Sequence, residues 1–144
     1  MDQRKAGGSV SDRPQTTMNA QKILVVEDNP ADVFLLREAL RNAGLSGHSL
    51  EVISDGEQAL QRLKRDAVTQ SKPKLIVLDL NLPKASGFDI VKAVRNDRNM
   101  DGTLVVTWTS SAAPKDRDIL LRLGVDAHFV KPMQFDEYLQ IGTR

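Results

Sequence analysis

Five polar side chains close four apolar runs of this chain. Ile23-Leu24-Val25-Val26 leads straight into Glu27-Asp28, and Leu75-Ile76-Val77-Leu78 into Asp79. Thr109 closes the run from Leu104, and Lys131 the run from His128. Suppose folding brings the three carboxylates within about 4–6 Å of one another. Two unit charges 4 Å apart at an effective dielectric near 20 repel by about 4 kcal/mol, a large part of a domain's stability. Either one carboxyl stays protonated or a cation sits among them. Hard oxygen ligands at a partly wet edge suit Mg²⁺, with Asp28 and Asp79 as direct ligands, Glu27 acting partly through water and the Asn81 carbonyl as a further oxygen. Thr109 and Lys131 beside them make a clamp for anionic oxygens, which is what phosphoryl transfer needs. A carboxylate can itself be the nucleophile and form an acyl phosphate. Asp79, at the end of the most apolar run, is the best placed.

Positioning these groups together is a task for the elements between them. From Lys22 the chain alternates, with β-rich runs at 23–27, 50–54, 74–79, 103–109 and 127–131. A first helix is announced by Asn29-Pro30, a cap followed by a first-turn proline, with Ala31, Phe34, Leu35, Ala39 and Leu40 expected inward. A second follows Asp55-Gly56 with Ala59, Leu60 and Leu63, and a third follows Gly87 with Phe88, Ile90, Val91 and Val94. A fourth starts near Pro114 with Ile119, Leu120 and Leu123, and a short fifth carries Phe135, Tyr138 and Leu139. The third and fourth strands are near-continuous apolar runs, which implies burial on both faces. Strict alternation predicts an α/β doubly wound fold with a five-stranded parallel sheet in the flavodoxin-like order 2-1-3-4-5. The site of such a sheet lies at the carboxyl ends of its first and third strands. Those are the strands that end in Glu27-Asp28 and Asp79.

Composition narrows the rest. At 144 residues, 40% hydrophobic and 27% charged, one soluble domain is expected. A net charge of +1 gives no argument for nucleic acid or an anionic membrane. No apolar run approaches the ~20 residues of a membrane span, no secretion signal is visible, and a cytoplasmic address is expected. The chain has no cysteine, which excludes disulfides, thiolate zinc sites and cysteine catalysis. Residues 1–20 are polar and without period, and read as a disordered tail before a domain spanning 21–144.

From about Lys22 to Tyr138 the chain resembles the receiver domain of two-component response regulators. The resemblance rests on Val25-Val26-Glu27-Asp28-Asn29-Pro30, Leu78-Asp79-Leu80-Asn81-Leu82-Pro83 with Gly87, Thr109-Ser110-Ser111, and Lys131-Pro132. It implies a CheY-like fold, Asp79 as the phosphoacceptor, Glu27, Asp28 and the Asn81 carbonyl as the Mg²⁺ site, Thr109 as the switch hydroxyl and Lys131 as the phosphate-contacting amine. It also implies a histidine kinase as donor, with partner affinity changing at the face of helix four, strand five and helix five. The Leu-Asp-Leu-Asn-Leu-Pro-Lys run and the Thr-Ser-Ser segment resemble single-domain regulators that partner phytochrome-type kinases. With no residues left for an output domain, a downstream protein and a second copy of the chain are the expected partners. Two features depart from the pattern. His128 stands where the family carries Tyr or Phe, which puts a titratable group at the aromatic switch position, and the final helix is short.

Two other classes fit part of these residues: a metal-dependent phosphohydrolase, and a receiver-fold scaffold that is never phosphorylated. Phosphohydrolases with an aspartate after a strand commonly carry a second one two residues on, where this chain has Asn81. Other residues have simpler readings. Trp108 alternates away from Thr109 and belongs to the core; His128 is a partly buried packing residue; His48 is a solvated loop residue; Met133 is packing filler. Lys115, Asp116, Arg117 and Asp118 form a solvated helix face.

Overall fold

The computed structural model describes residues 21–44, 49–110 and 113–131. Five strands alternate with four α-helices: β1 (Lys22–Val26), α1 (Pro30–Asn42), β2 (Ser49–Ile53), α2 (Gly56–Thr69), β3 (Leu75–Leu78), α3 (Gly87–Arg95), β4 (Leu104–Thr109), α4 (Pro114–Leu123) and β5 (Ala127–Val130). A 3₁₀ turn at Arg98–Met100 precedes β4. The strands form one parallel sheet in the order β2-β1-β3-β4-β5, as expected from the alternation.

Side-chain alternation splits the core into two layers. Leu24, Val26, Ile76, Leu78 and Val105 face α2, α3 and α4. Ile23, Val25, Val77 and Trp108 face the other way, against Leu35, Leu36 and Leu40 of α1. Burial on both faces is why β1 and β3 read as unbroken apolar runs.

The helices begin where side chains satisfy their free N–H groups. Asn29 caps α1 by accepting from the Ala31 N–H at 2.9 Å, with Pro30 in the first turn. Asp55 caps α2 through the Gln58 N–H at 2.7 Å, and Ser86 caps α3 through Asp89. Glycine ends α4, where Gly124 takes φ 101°, a left-handed conformation that suits its lack of a Cβ. One helix face differs from expectation. Phe34 is 58% exposed, whereas Leu36 is buried. Two residues advance a helix by about 200°, so these two side chains point to opposite sides, and the inward stripe of α1 runs through Leu36 and Ala39.

The sheet edge away from the strand ends in acid is fastened by Arg95. Its guanidinium donates to the carbonyls of Gly124 at 2.8 Å and Thr103 at 2.9 Å and pairs with Asp126 at 2.7 Å. Among the described residues no helix is long and apolar enough to cross a membrane. The expected tail at 1–20 and the expected final helix with Phe135, Tyr138 and Leu139 lie outside the described residues, as do His48, Ser111, Pro132 and Met133.

Candidate metal centre at the carboxyl edge

Backbone pairing carries each key residue one step past its strand. The Glu27 N–H donates to the Ile53 carbonyl and the Asp79 N–H to the Val26 carbonyl, each at 3.0 Å. The Lys131 N–H donates to the Thr109 carbonyl at 2.7 Å. These bonds align the end of β1 with β2, β3 with β1 and β5 with β4, and the parallel register of β3 on β4 joins the two halves, so the terminal residues lie on one rim.

There, Glu27, Asp28 and Asp79 each offer a carboxylate oxygen within 4.8 Å of the others. Glu27 and Asp79 are buried at 3% and 7% exposure, while Asp28 is open to solvent. The Asn81 N–H donates to Asp79 Oδ1 at 3.3 Å, and the Asn29 N–H to Glu27 Oε2 at 3.2 Å. Lys131 enters from β5. Its ammonium lies 2.7 Å from Glu27 Oε1, 2.8 Å from Asp32 Oδ2 and 3.2 Å from Asp79 Oδ2. Thr109 is fully buried at the end of β4.

The loop after β3 is held close by two glycines. A Cβ on Gly87 would lie 2.7 Å from the Asp79 carbonyl oxygen, and one on Gly56 would overlap the Ala85 carbonyl. The Gly56 N–H donates to the Pro83 carbonyl at 3.0 Å. Lys84 turns this loop through a left-handed conformation, φ 70°.

Burial and the neighbouring charges together set the two shifted groups. Burial raises the Glu27 carboxyl, the Lys131 hydrogen bond opposes it, and the Asp79 charge adds to the rise, leaving it at about 7. Burial alone would lower the Lys131 ammonium, but its bonds to Asp32 and Glu27 outweigh that and hold it above its ordinary value. Three acidic oxygens on a rim with one open side form a donor set that suits a hard divalent cation.

Sequence reasoning singled out Glu27, Asp28, Asp79, Thr109 and Lys131, and folding brings these residues to one edge. It missed Asp32, half-buried in the first turn of α1. Its place inside the helical pattern of α1 gave no signal of this contact, which joins residues 99 positions apart. Trp108 is buried as expected, yet its ring also lies 5.4 Å below the Lys131 ammonium, a cation–π contact at the floor of the site. His128 is half-buried, and its Nδ1 lies 2.7 Å from Thr107 Oγ1.

Such an acidic pocket with a lysine, at the switch point of a 2-1-3-4-5 sheet, defines a class. The chain belongs to the response regulator receiver domain family, which matches residues 23–141. Response regulator Rcp1 of Synechocystis sp. is 32% identical over 111 residues, 76% of this chain and 75% of that protein. The Mn(2+)-bound form of Rcp1 superposes with a TM-score of 0.75 and 28% identity, covering 85% of this chain and 89% of that one. The phosphorylated cyanobacterial phytochrome response regulator RcpA gives a TM-score of 0.78 at 32% identity, covering 86% of this chain and 89% of that one. The receiver domain of the sensor histidine kinase PA1611 from Pseudomonas aeruginosa, crystallised with magnesium in its active-site cleft, gives 0.66 at 27% identity over 87% and 96% of the two chains. The chain spans less than half the length of several curated regulators that it also matches.

Proposed function

We propose that Asp79 is the phosphoacceptor and that a histidine kinase, of the phytochrome type, supplies the phosphoryl group. The convergence of Glu27, Asp28, Asp79 and Lys131 on one rim carries this reading. A carboxylate oxygen of Asp79 attacks the phosphorus of a phosphohistidine. The new O–P bond makes an acyl phosphate as the P–N bond breaks, and its electron pair stays on the imidazole. A carboxylate nucleophile attacks with its own lone pair and needs no general base. Lys131, already 3.2 Å from Asp79 Oδ2, offers an N–H to a phosphoryl oxygen at that position. Thr109 supplies the switch hydroxyl from the end of β4. Water attack on the acyl phosphate returns the carboxylate and releases phosphate.

Glu27, Asp28, Asp79 and the Asn81 carbonyl would hold Mg²⁺. When bound, that cation would offset charge on the transferred group and relieve repulsion among the carboxylates. We further assign residues 21–144 to one receiver unit at work in the cytoplasm. Its output is a change in affinity for a downstream protein or a second copy of the chain, rather than turnover of a small substrate.

Incubation with acetyl phosphate, with and without Mg²⁺, followed by intact mass measurement tests the assignment. The expected product is a base-labile phosphate adduct that requires Mg²⁺ and is lost in Asp79→Asn. Rapid phosphoester turnover with no accumulating adduct would instead identify a phosphohydrolase, and neither outcome would identify a scaffold.

A further inference from the structure

An ammonium group has three N–H donors, and at this rim three carboxylates stand around one ammonium. Glu27 Oε1 and Asp32 Oδ2 are the near partners at 2.7 and 2.8 Å, and Asp79 Oδ2 is the far one at 3.2 Å. The Trp108 ring closes the side below at 5.4 Å. Lysine carries a flexible four-carbon stem, and a free ammonium on it would sample many positions. Here its side chain is only 8% exposed.

Asp32 has no need of Lys131 to serve its helix. As an acid in the first turn of α1 it already favours the positive end of the helix dipole. Its Oδ2 nevertheless reaches a lysine 99 positions away, and that lysine also touches the proposed phosphoacceptor. We infer that Asp32 is a positioning residue: its hydrogen bond and the Glu27 ion pair hold the Lys131 ammonium from two sides, so that another N–H is aimed at Asp79 and at a phosphoryl oxygen carried there. This rests on the phosphoacceptor reading of Asp79. On that reading the 3.2 Å contact passes from the carboxylate to the phosphoryl group while the two shorter contacts persist. Asp32 thereby presets the ammonium before the donor arrives, a gain from orientation rather than from added charge.

The test compares wild type, Asp32→Asn and Asp32→Ala in the full chain. It uses acetyl phosphate and a Mg²⁺ titration, with intact mass as one readout and emission from the single tryptophan, Trp108, as another. Asp32→Ala is expected to slow adduct formation at saturating Mg²⁺ about tenfold, with half-saturating Mg²⁺ changed less than about twofold. Asp32→Asn keeps an acceptor oxygen at the same place and is expected to fall between the two. Trp108 emission of the Mg²⁺-free protein should shift in Asp32→Ala, because the charge above its ring is released. A structural role alone would lower the thermal midpoint of both variants and leave rate and emission unchanged. Wild-type rates in a folded Asp32→Ala, or a loss found wholly in Mg²⁺ half-saturation, overturns the inference while Asp79 keeps its role. No adduct on wild type overturns the Asp79 reading, and the inference with it.

Discussion

At the scale of single residues, His128 links chemistry to stability. Its Nδ1 meets the fully buried Thr107 at 2.7 Å. Burial lowers its pKa first, the Arg117 charge on α4 adds to that, and Asp116 beside it opposes. The folded chain therefore binds the His128 proton less readily than the unfolded chain. Stability from this group is whole above its ordinary value of 6.5 and declines as pH falls below it. His128→Phe should flatten that decline. Urea midpoints for both proteins between about pH 7.5 and 5.5 check this, and parallel slopes would contradict it. The five polar residues at the strand ends were legible because each closes an apolar run. Asp32 was not. It sits inside a helix, and only the fold brings Lys131 to it across 99 positions. The alternation of β4 assigned Trp108 its face correctly but said nothing of a lysine folding back over its ring.

At the scale of elements, the approach of α3 to the end of β3 decides where Asp79 sits. Gly87 opens α3 against the Asp79 carbonyl and Leu80, and a Cβ there would come within 2.7 Å of the one and 2.8 Å of the other. Both obstacles are backbone, which yields less than a side-chain tip. Gly87→Ala should destabilise the fold by about 1–3 kcal/mol, in the range of overpacking, and should slow adduct formation by displacing Asp79. Denaturation midpoints and the acetyl phosphate time course measure the two effects, and an unchanged midpoint would mean that α3 can slide away freely. Apolar periodicity revealed that α1 exists and where it starts, through Asn29-Pro30. It misplaced the inward stripe because Phe34 and Leu36 are both apolar, and composition alone does not say which of two opposed side chains meets Ile23 and Val25.

At the scale of the whole molecule, the pocket trades stability for function. Four acids and a lysine crowd one rim, and a divalent cation would relieve what Lys131 alone does not. Mg²⁺ at about 100 times its Kd should add about 2.7 kcal/mol to the stability of wild type. Chelation should remove the gain, and Asp28→Asn should weaken it. Thermal unfolding with and without EDTA measures this, and identical midpoints would argue that the carboxylates bind no cation. Strand order was legible because burial on both faces of β3 and β4 forces helices onto each side and right-handed crossovers leave few arrangements.

Arg95 fixes how such a molecule can move. It ties the end of α3 to the turn after α4 and to the entries of β4 and β5, all at the rim away from Asp79. On the switch role proposed for Thr109, this staple would act as a fulcrum: a rearrangement begun there would meet most resistance at the Gly124 end of α4 and would displace its Pro114 end further.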